Sequence, residues 1–228
     1  MLHLVKMKKL APTVLIILSL ITLVWASLRT NAAWHYFAAQ SITEHIEKTG
    51  AMTSQDVTSA TEHINKALSR FPINPDYLQL SARLKELQAG QTGVMGAERD
   101  ELLESALADY RSALAVRPLW PYTWISILAV KGQQGQFDKE FITALNRAAE
   151  TGPWEPPVQL QVVRSGLRFW DQLGSSERSL VQDMINDALR TQPREVFGIV
   201  RFFARPELIC HAGKAHSQIE RWCTSVGF

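Results

Sequence analysis

One recurring spacing limits what this chain can fold into. An alanine is followed four residues on by a large apolar residue, three further by a second alanine, and five further by a proline. The pattern is complete at Ala60, Ile64, Ala67 and Pro72, and again at Ala106, Tyr110, Ala113 and Pro118. It is partial at Leu145, Ala148 and Pro153, with Phe141 in the first small slot, and at Ile185, Ala188 and Pro193, with Val181 in that slot. Steps of four and three keep side chains on one face of an α-helix. Two small residues let a neighbouring helix approach, and the bulky residue between them fills the gap. Proline lacks an N–H and clashes with the preceding turn, so it ends one helix and opens the next. No segment alternates with the two-residue period of a strand. The expectation is an all-α chain of helical hairpins.

The four prolines are 46, 35 and 40 residues apart. This resembles the tetratricopeptide (TPR) family, whose unit is about 34 residues. The resemblance implies an α-solenoid of stacked hairpins; the alternative is an ordinary helical bundle in which these residues coincide. Start signals agree with the register. Asn74-Pro75-Asp76 supplies an N-cap, a first-turn proline and a first-turn acid. Asp138 opens another helix, and Ser175 or Ser176 with Glu177 a third. The resulting helices run over about 10–48, 54–70, 75–88, 98–116, 121–134, 138–151, 156–172, 176–191, 194–204 and 214–223. The segment 89–99 holds three glycines and reads as an exposed loop.

Leu10 to Leu28 is a 19-residue run without a charge. As a helix it spans roughly 28 Å, about the hydrocarbon thickness of a bilayer. Lys6, Lys8 and Lys9 precede it, Arg29 follows, and no acid occurs before Glu44. The positive-inside rule then keeps the N-terminus in the cytoplasm and sends the rest across. This describes a bacterial inner-membrane anchor with a periplasmic domain. The rival is a cleaved signal peptide, with Val24-Trp25-Ala26 as an acceptable cleavage site; against it, the next residues can continue the helix. Setting the four flanking cations aside leaves 20 basic residues against 22 acidic ones. That balance lacks the dense basic stripe of a nucleic-acid binder.

Two segments concentrate proline and aromatics: Arg117-Pro118-Leu119-Trp120-Pro121-Tyr122-Thr123-Trp124 and Gly152-Pro153-Trp154-Glu155-Pro156-Pro157. Stiff backbone beside large aromatics suits tight packing or recognition. Trp124 stands where a TPR unit places its packing tryptophan, whereas Trp120 and Trp154 are candidates for exposure. With the signal-anchor and a short C-terminal helix between two cysteines, these segments resemble the VpsP family of bacterial polysaccharide-biosynthesis proteins. The resemblance covers most of the chain. It implies a role in exopolysaccharide production or export in Gram-negative bacteria, and it carries no catalytic residues.

Cys210 and Cys223 are the only cysteines. Outside the cytoplasm such a pair forms a disulfide. The rival is a metal site adding His211 and His216, whose spacing fits no usual zinc pattern. His35, His45 and His63 read as single polar residues. There is no Gly-rich phosphate loop, nucleophile elbow or haem-attachment sequence, and no cofactor or enzyme activity is expected. Glu155 paired with Asp171 as an acid would need a cleft and a raised pKa.

Stacked hairpins present a concave surface suited to peptide segments. Aligning the units by their prolines brings Arg83, Ala129 and Arg164 to equivalent groove positions, with Tyr122, Ile125, Gln133 and Arg168 on the same surface. Such a groove suits an acidic peptide or a carboxylated glycan. The expected organisation is a cytoplasmic tail (1–9), an anchor (10–28), a helical stalk (29–53), TPR-like repeats (54–193) and capping helices with a disulfide (194–228). The expected function is a scaffold for polysaccharide synthesis or export proteins; the alternative is a component that binds or modifies glycan through Trp120 and Trp154.

Overall fold

The computed structural model describes residues 2–91, 93–210 and 217–227. Among them every regular element is helical: α1 (Leu2–Thr49), α2 (Ser54–Arg70), α3 (Pro75–Ala89), α4 (Ala97–Val116), α5 (Pro121–Gln134), α6 (Lys139–Thr151), α7 (Pro156–Arg168), α8 (Ser175–Thr191), α9 (Pro193–Phe202), α10 (Glu207–Cys210) and α11 (Ser217–Ser225). A 3₁₀ turn, Trp170–Gln172, separates α7 from α8.

α1 is one helix of 48 residues, roughly 72 Å long. It passes without a break through the uncharged run, whose described side chains from Pro12 to Leu28 all lie exposed. This is the one helix long and apolar enough to cross a membrane among the described residues. Its second half is not a free stalk. Ala32, Ala39, Thr43 and Ile46 recur at helical spacing and are buried, the alanines in one core with Ala60, Ile64 and Ala67 of α2. The segment set apart at 29–53 is therefore largely a wall of the helical array.

The repeated spacing forms the spine of that array. All twelve slot residues are buried: Ala60, Ile64 and Ala67; Ala106, Tyr110 and Ala113; Phe141, Leu145 and Ala148; Val181, Ile185 and Ala188. The last alanine of each set has a second task. Its carbonyl accepts the N–H of the residue before the proline: Phe71 to Ala67 at 3.1 Å, Arg117 to Ala113 at 2.9 Å, Gly152 to Ala148 at 3.0 Å and Gln192 to Ala188 at 2.7 Å. The helix is closed before proline removes the next donor. Three of the turns then take one form. In Phe71-Pro72-Ile73-Asn74-Pro75, Arg117-Pro118-Leu119-Trp120-Pro121 and Gly152-Pro153-Trp154-Glu155-Pro156, the fourth residue's N–H donates to the first residue's carbonyl, at 3.1, 3.2 and 3.2 Å. The second proline of each opens a helix.

From α1 to α9, each helix packs on the next, and α1 also meets α3, α5 meets α7, α6 meets α8 and α7 meets α9. The main core runs from Ala82 to Ile209, and a smaller one joins α1, α2 and α3. Local signals set several boundaries. Asn74 Oδ1 accepts from the N–H groups of Asp76 and Tyr77, and Asp138 Oδ1 from that of Phe141. Thr53 and Asp56 form a reciprocal capping box at α2. Gly96 caps α4 at φ +61°, a left-handed geometry that favours glycine.

Three boundaries differ from the sequence reading. The helix expected to 172 stops at Arg168. Breaking there lets Phe169 and Leu173 both turn inward, and Arg178 donates to the carbonyls of Trp170 and Asp171 at 3.0 and 3.2 Å. Neither Ser175 nor Ser176 caps α8: Gly174 holds that position, and the Ser176 hydroxyl turns to Glu177. Beyond α9, which ends at Phe202, stands a short α10 outside the expected helices; of the last helix expected over 214–223, residues 214–216 lie outside the described residues and the rest falls in α11.

Candidate binding groove

α5, α7 and α9 lie side by side and turn one stripe each toward a common groove of about 650 Å³. α5 contributes Ala129, Gly132 and Gln133; α7 contributes Gln161, Arg164 and Arg168; α9 contributes Glu195, Ile199 and Phe202. Each set follows helical spacing. Gly132 lies under the Arg168 side chain, where a Cβ would make ordinary contact with Arg168 Cδ at 3.6 Å. Leu160, Ile199 and Phe203 make an apolar wall, and Phe202 stands exposed at the rim. Arg164 and Arg168 form no ion pair among the described residues, and one acid, Glu195, shares the groove with them. The arrangement offers two guanidinium groups without carboxylate partners beside apolar surface, the Arg168 one lying 6.0 Å from the Phe169 ring centroid. Guanidinium matches carboxylate in a forked geometry.

The sequence alignment of groove residues is met in part. Ala129, Gln133, Arg164 and Arg168 do share this groove. Arg83 and Tyr122 line a second one, about 420 Å³, between α1, α3 and α5. Ile125 packs against the core instead. Arg83 is not free: its Nε donates to Glu47 Oε1 at 2.6 Å and its Nη1 to Glu86 Oε2 at 3.3 Å. Glu86 was missed by sequence reasoning and is the buried polar centre of the array. It accepts from the Tyr110 hydroxyl and from Gln133 Nε2 at 3.4 Å, which joins the two grooves. Burial raises its pKa, against the pull of Tyr110, Arg83 and Gln133. A usable signal existed in the repeat. Tyr110 occupies a slot filled elsewhere by Ile64, Leu145 and Ile185, and a hydroxyl buried there must find an acceptor.

The remaining site residues lie at the proline turns. The Tyr122 hydroxyl donates to Glu155 Oε2 at 2.7 Å, which raises the tyrosine pKa. Trp120 is held by the Tyr122 ring at 5.5 Å and the Arg117 guanidinium at 5.8 Å. Trp154 is 78% exposed. Trp124 is half-buried rather than enclosed: it packs at the edge of the main core and its Nε1 donates to the Pro118 carbonyl at 2.9 Å. Glu155 and Asp171 do not meet as a pair, since Asp171 is bound to Arg205 at 2.6 Å.

Cys210 and Cys223 are bonded, with Sγ–Sγ 2.05 Å and Cα–Cα 5.8 Å. The bond ties α10 to α11, and Trp222 of α11 stacks on Phe197 of α9 with centroids 4.8 Å apart. A metal site on these cysteines is thereby replaced; His211 and His216 lie outside the described residues. The histidines read as single are not all so. His35 and His63, 28 residues apart, meet across α1 and α2 with Nδ1 atoms 2.8 Å apart. Burial, and next the His63 ring, lower the His35 pKa. A search of protein-family models and of curated proteins finds no match to this chain.

Proposed function

We propose that this chain is a membrane-anchored, non-catalytic scaffold that holds an acidic peptide segment of a partner protein in the α5/α7/α9 groove. The observation that carries the reading is the pair Arg164 and Arg168, without ion-pair partners beside Leu160, Ile199 and Phe202. A TPR-like arrangement is supported by the shared turn form, the buried slot residues and the packing of alternate helices. Anchoring is supported by the exposed apolar half of α1, and a periplasmic domain by the lysines before it and by a disulfide, which persists in oxidising compartments. A non-catalytic role is supported by the engagement of the nearby carboxylates of Glu86 and Glu155 with tyrosine hydroxyls. The assignment to exopolysaccharide synthesis or export rests on the VpsP resemblance alone.

Photo-crosslinking tests it. A benzophenone amino acid at Ala129 of the full-length protein should trap a discrete partner in cells. Arg164→Glu with Arg168→Glu should abolish that product without lowering the melting temperature. A product that survives both reversals rejects the groove. A second reading, direct contact with glycan, has the exposure of Trp154 in its favour. Binding of the nanodisc-held protein on a glycan array, lost on Trp154→Ala, would select it.

A further inference from the structure

We propose that the edge formed by the proline turns lies on the surface of the bilayer that α1 crosses, with Ile73, Leu119 and Trp154 set into its interfacial layer; this rests on the reading of α1 as a membrane anchor. These three residues are the middle members of the three equivalent turns. Each is a large apolar side chain left in the open, 74%, 67% and 78% exposed. Outside α1, the other exposed large apolar side chains among the described residues are Val116 and Trp120 at the same edge, Met95 at the opposite edge and Phe202 in the groove. An apolar surface this concentrated marks a contact.

The turns form one continuous edge. Arg117 of the second turn grips Asp76 just after the first, at 2.6 and 3.0 Å. Gly152 of the third lies against Pro121 of the second, so close that a Cβ would be 2.7 Å from the proline Cβ. Gln192, before the fourth proline, donates to the Pro156 carbonyl at 3.3 Å. The first turn adjoins the end of the membrane run. Arg29, the first charge after that run, has its guanidinium 4.9 Å from the Trp25 ring and 5.3 Å from the Phe71 ring. α1 has no break between anchor and array, so the first turn stays where the helix leaves the bilayer.

The occupant follows from this continuity and from the chemistry. Aliphatic and aromatic tips flanked by arginine are what the interfacial layer accepts: the rings and chains enter, and guanidinium groups stay with the phosphates. Arg70, Arg190 and Arg194 are exposed at the helix ends of this edge. Of the acids at this edge, Asp76 and Glu155 are engaged by Arg117 and Tyr122 and Glu150 by Arg147, while Glu195 stands exposed beside Arg194 at the start of α9. The opposite edge has the reverse character, with Gly50, Gly93 and Gly135 in its turns.

The test uses the full-length chain, with its disulfide intact, in vesicles of phosphatidylcholine and phosphatidylglycerol containing nitroxide-labelled lipid. An environment-sensitive fluorophore is attached at Ile73→Cys, Leu119→Cys, Trp154→Cys, Met95→Cys or Leu20→Cys. Quenching at 73, 119 and 154 should exceed that at 95 by several-fold, with strong quenching at 20. Quenching at 20 with 73, 119 and 154 as bright as 95 would overturn the docking while leaving the anchor in place. Quenching at 73 alone would overturn the edge-wide contact. A bright label at 20 would remove the anchor reading, and the docking with it.

Discussion

Gly166 of α7 lies so close to Val181 of α8 that a Cβ on the glycine would sit 2.4 Å from Val181 Cγ2. Its backbone is ordinary helix, so the glycine is needed for space and not for conformation. Replacing a helical glycine by alanine normally stabilises by roughly 1 kcal/mol. Here the sign reverses: Gly166→Ala should cost about 1–3 kcal/mol through overpacking. Gly198 of α9 has nothing within 4 Å of a Cβ, and Gly198→Ala should raise stability by up to about 1 kcal/mol. Urea denaturation of both variants checks the pair; equal signs would contradict this account of the α7–α8 contact.

Tyr110→Phe keeps the buried ring and removes the hydroxyl that Glu86 accepts from. The carboxyl would keep Arg83 and Gln133 at longer distances, 3.3 and 3.4 Å. The expected loss is about 1–3 kcal/mol, the usual consequence of weakening a buried polar pair. An unchanged denaturation midpoint would mean that Glu86 does not depend on the tyrosine.

Glu140 links α6 to two cations. Arg111 donates to both its oxygens at 2.7 and 2.8 Å, and Lys131 Nζ lies 2.9 Å away. The Arg111 hydrogen bonds, and then Lys131, hold its pKa at about 2, below the ordinary 4.5. A depressed carboxyl stabilises the fold above its unfolded pKa, and that contribution is lost as pH falls through the folded value. Glu140→Gln should therefore melt lower than the parent near neutrality, by an amount on the order of 2 kcal/mol. The gap should close between pH 4.5 and about 2, as read by circular dichroism melts.

The two turn-proximal tryptophans should separate. Trp124→Ala removes half-buried ring surface and the hydrogen bond to Pro118, and should cost about 2–3 kcal/mol, short of the 3–5 expected for a fully enclosed ring. Trp154→Ala should change stability by less than about 0.5 kcal/mol. If it unfolds the domain as badly as Trp124→Ala, the exposed position assigned to Trp154 is wrong.

Protein purified without reductant should resist alkylation at Cys210 and Cys223 and take up two labels only after reduction and denaturation. Cys210→Ser should loosen α11, leaving it held by the Trp222–Phe197 stack, while the melting of α3 to α8 stays nearly unchanged, because the bond joins only α10 and α11. Hydrogen exchange resolved by segment would show this. Uniform loosening would mean that the C-terminal helices stabilise the whole array.

The helices were legible because their signals are local. Ala67, Ala113 and Ala148 mark the last turn before a proline, and Asn74 and Asp138 mark starts; each acts within five residues. The break at Arg168 was not legible, because it is driven by the burial of Phe169 beside Phe141, 28 residues earlier. The same reason hid the meeting of His35 with His63, which depends on how α1 and α2 cross. Arg83 fell at the expected groove position, but spacing cannot show that Glu47, 36 residues away, neutralises it. Arg164 and Arg168 were found through the repeat alone, since equivalence between units carries information about faces and none about charge partners.

α1 joins anchor and array as one rod, without a flexible tether. A tethered module samples a volume set by its linker; if α1 is the membrane anchor proposed above, this one would have no such volume and would meet a partner only by drifting and spinning within the plane of the membrane. On that reading its groove would keep a fixed height, and a partner would have to present its segment at that height. A pull on the groove would be borne by α1 as a lever arm, with the bilayer as its bearing, and load on a captured partner would tilt the anchor, converting a binding event at the array into a mechanical signal across the membrane.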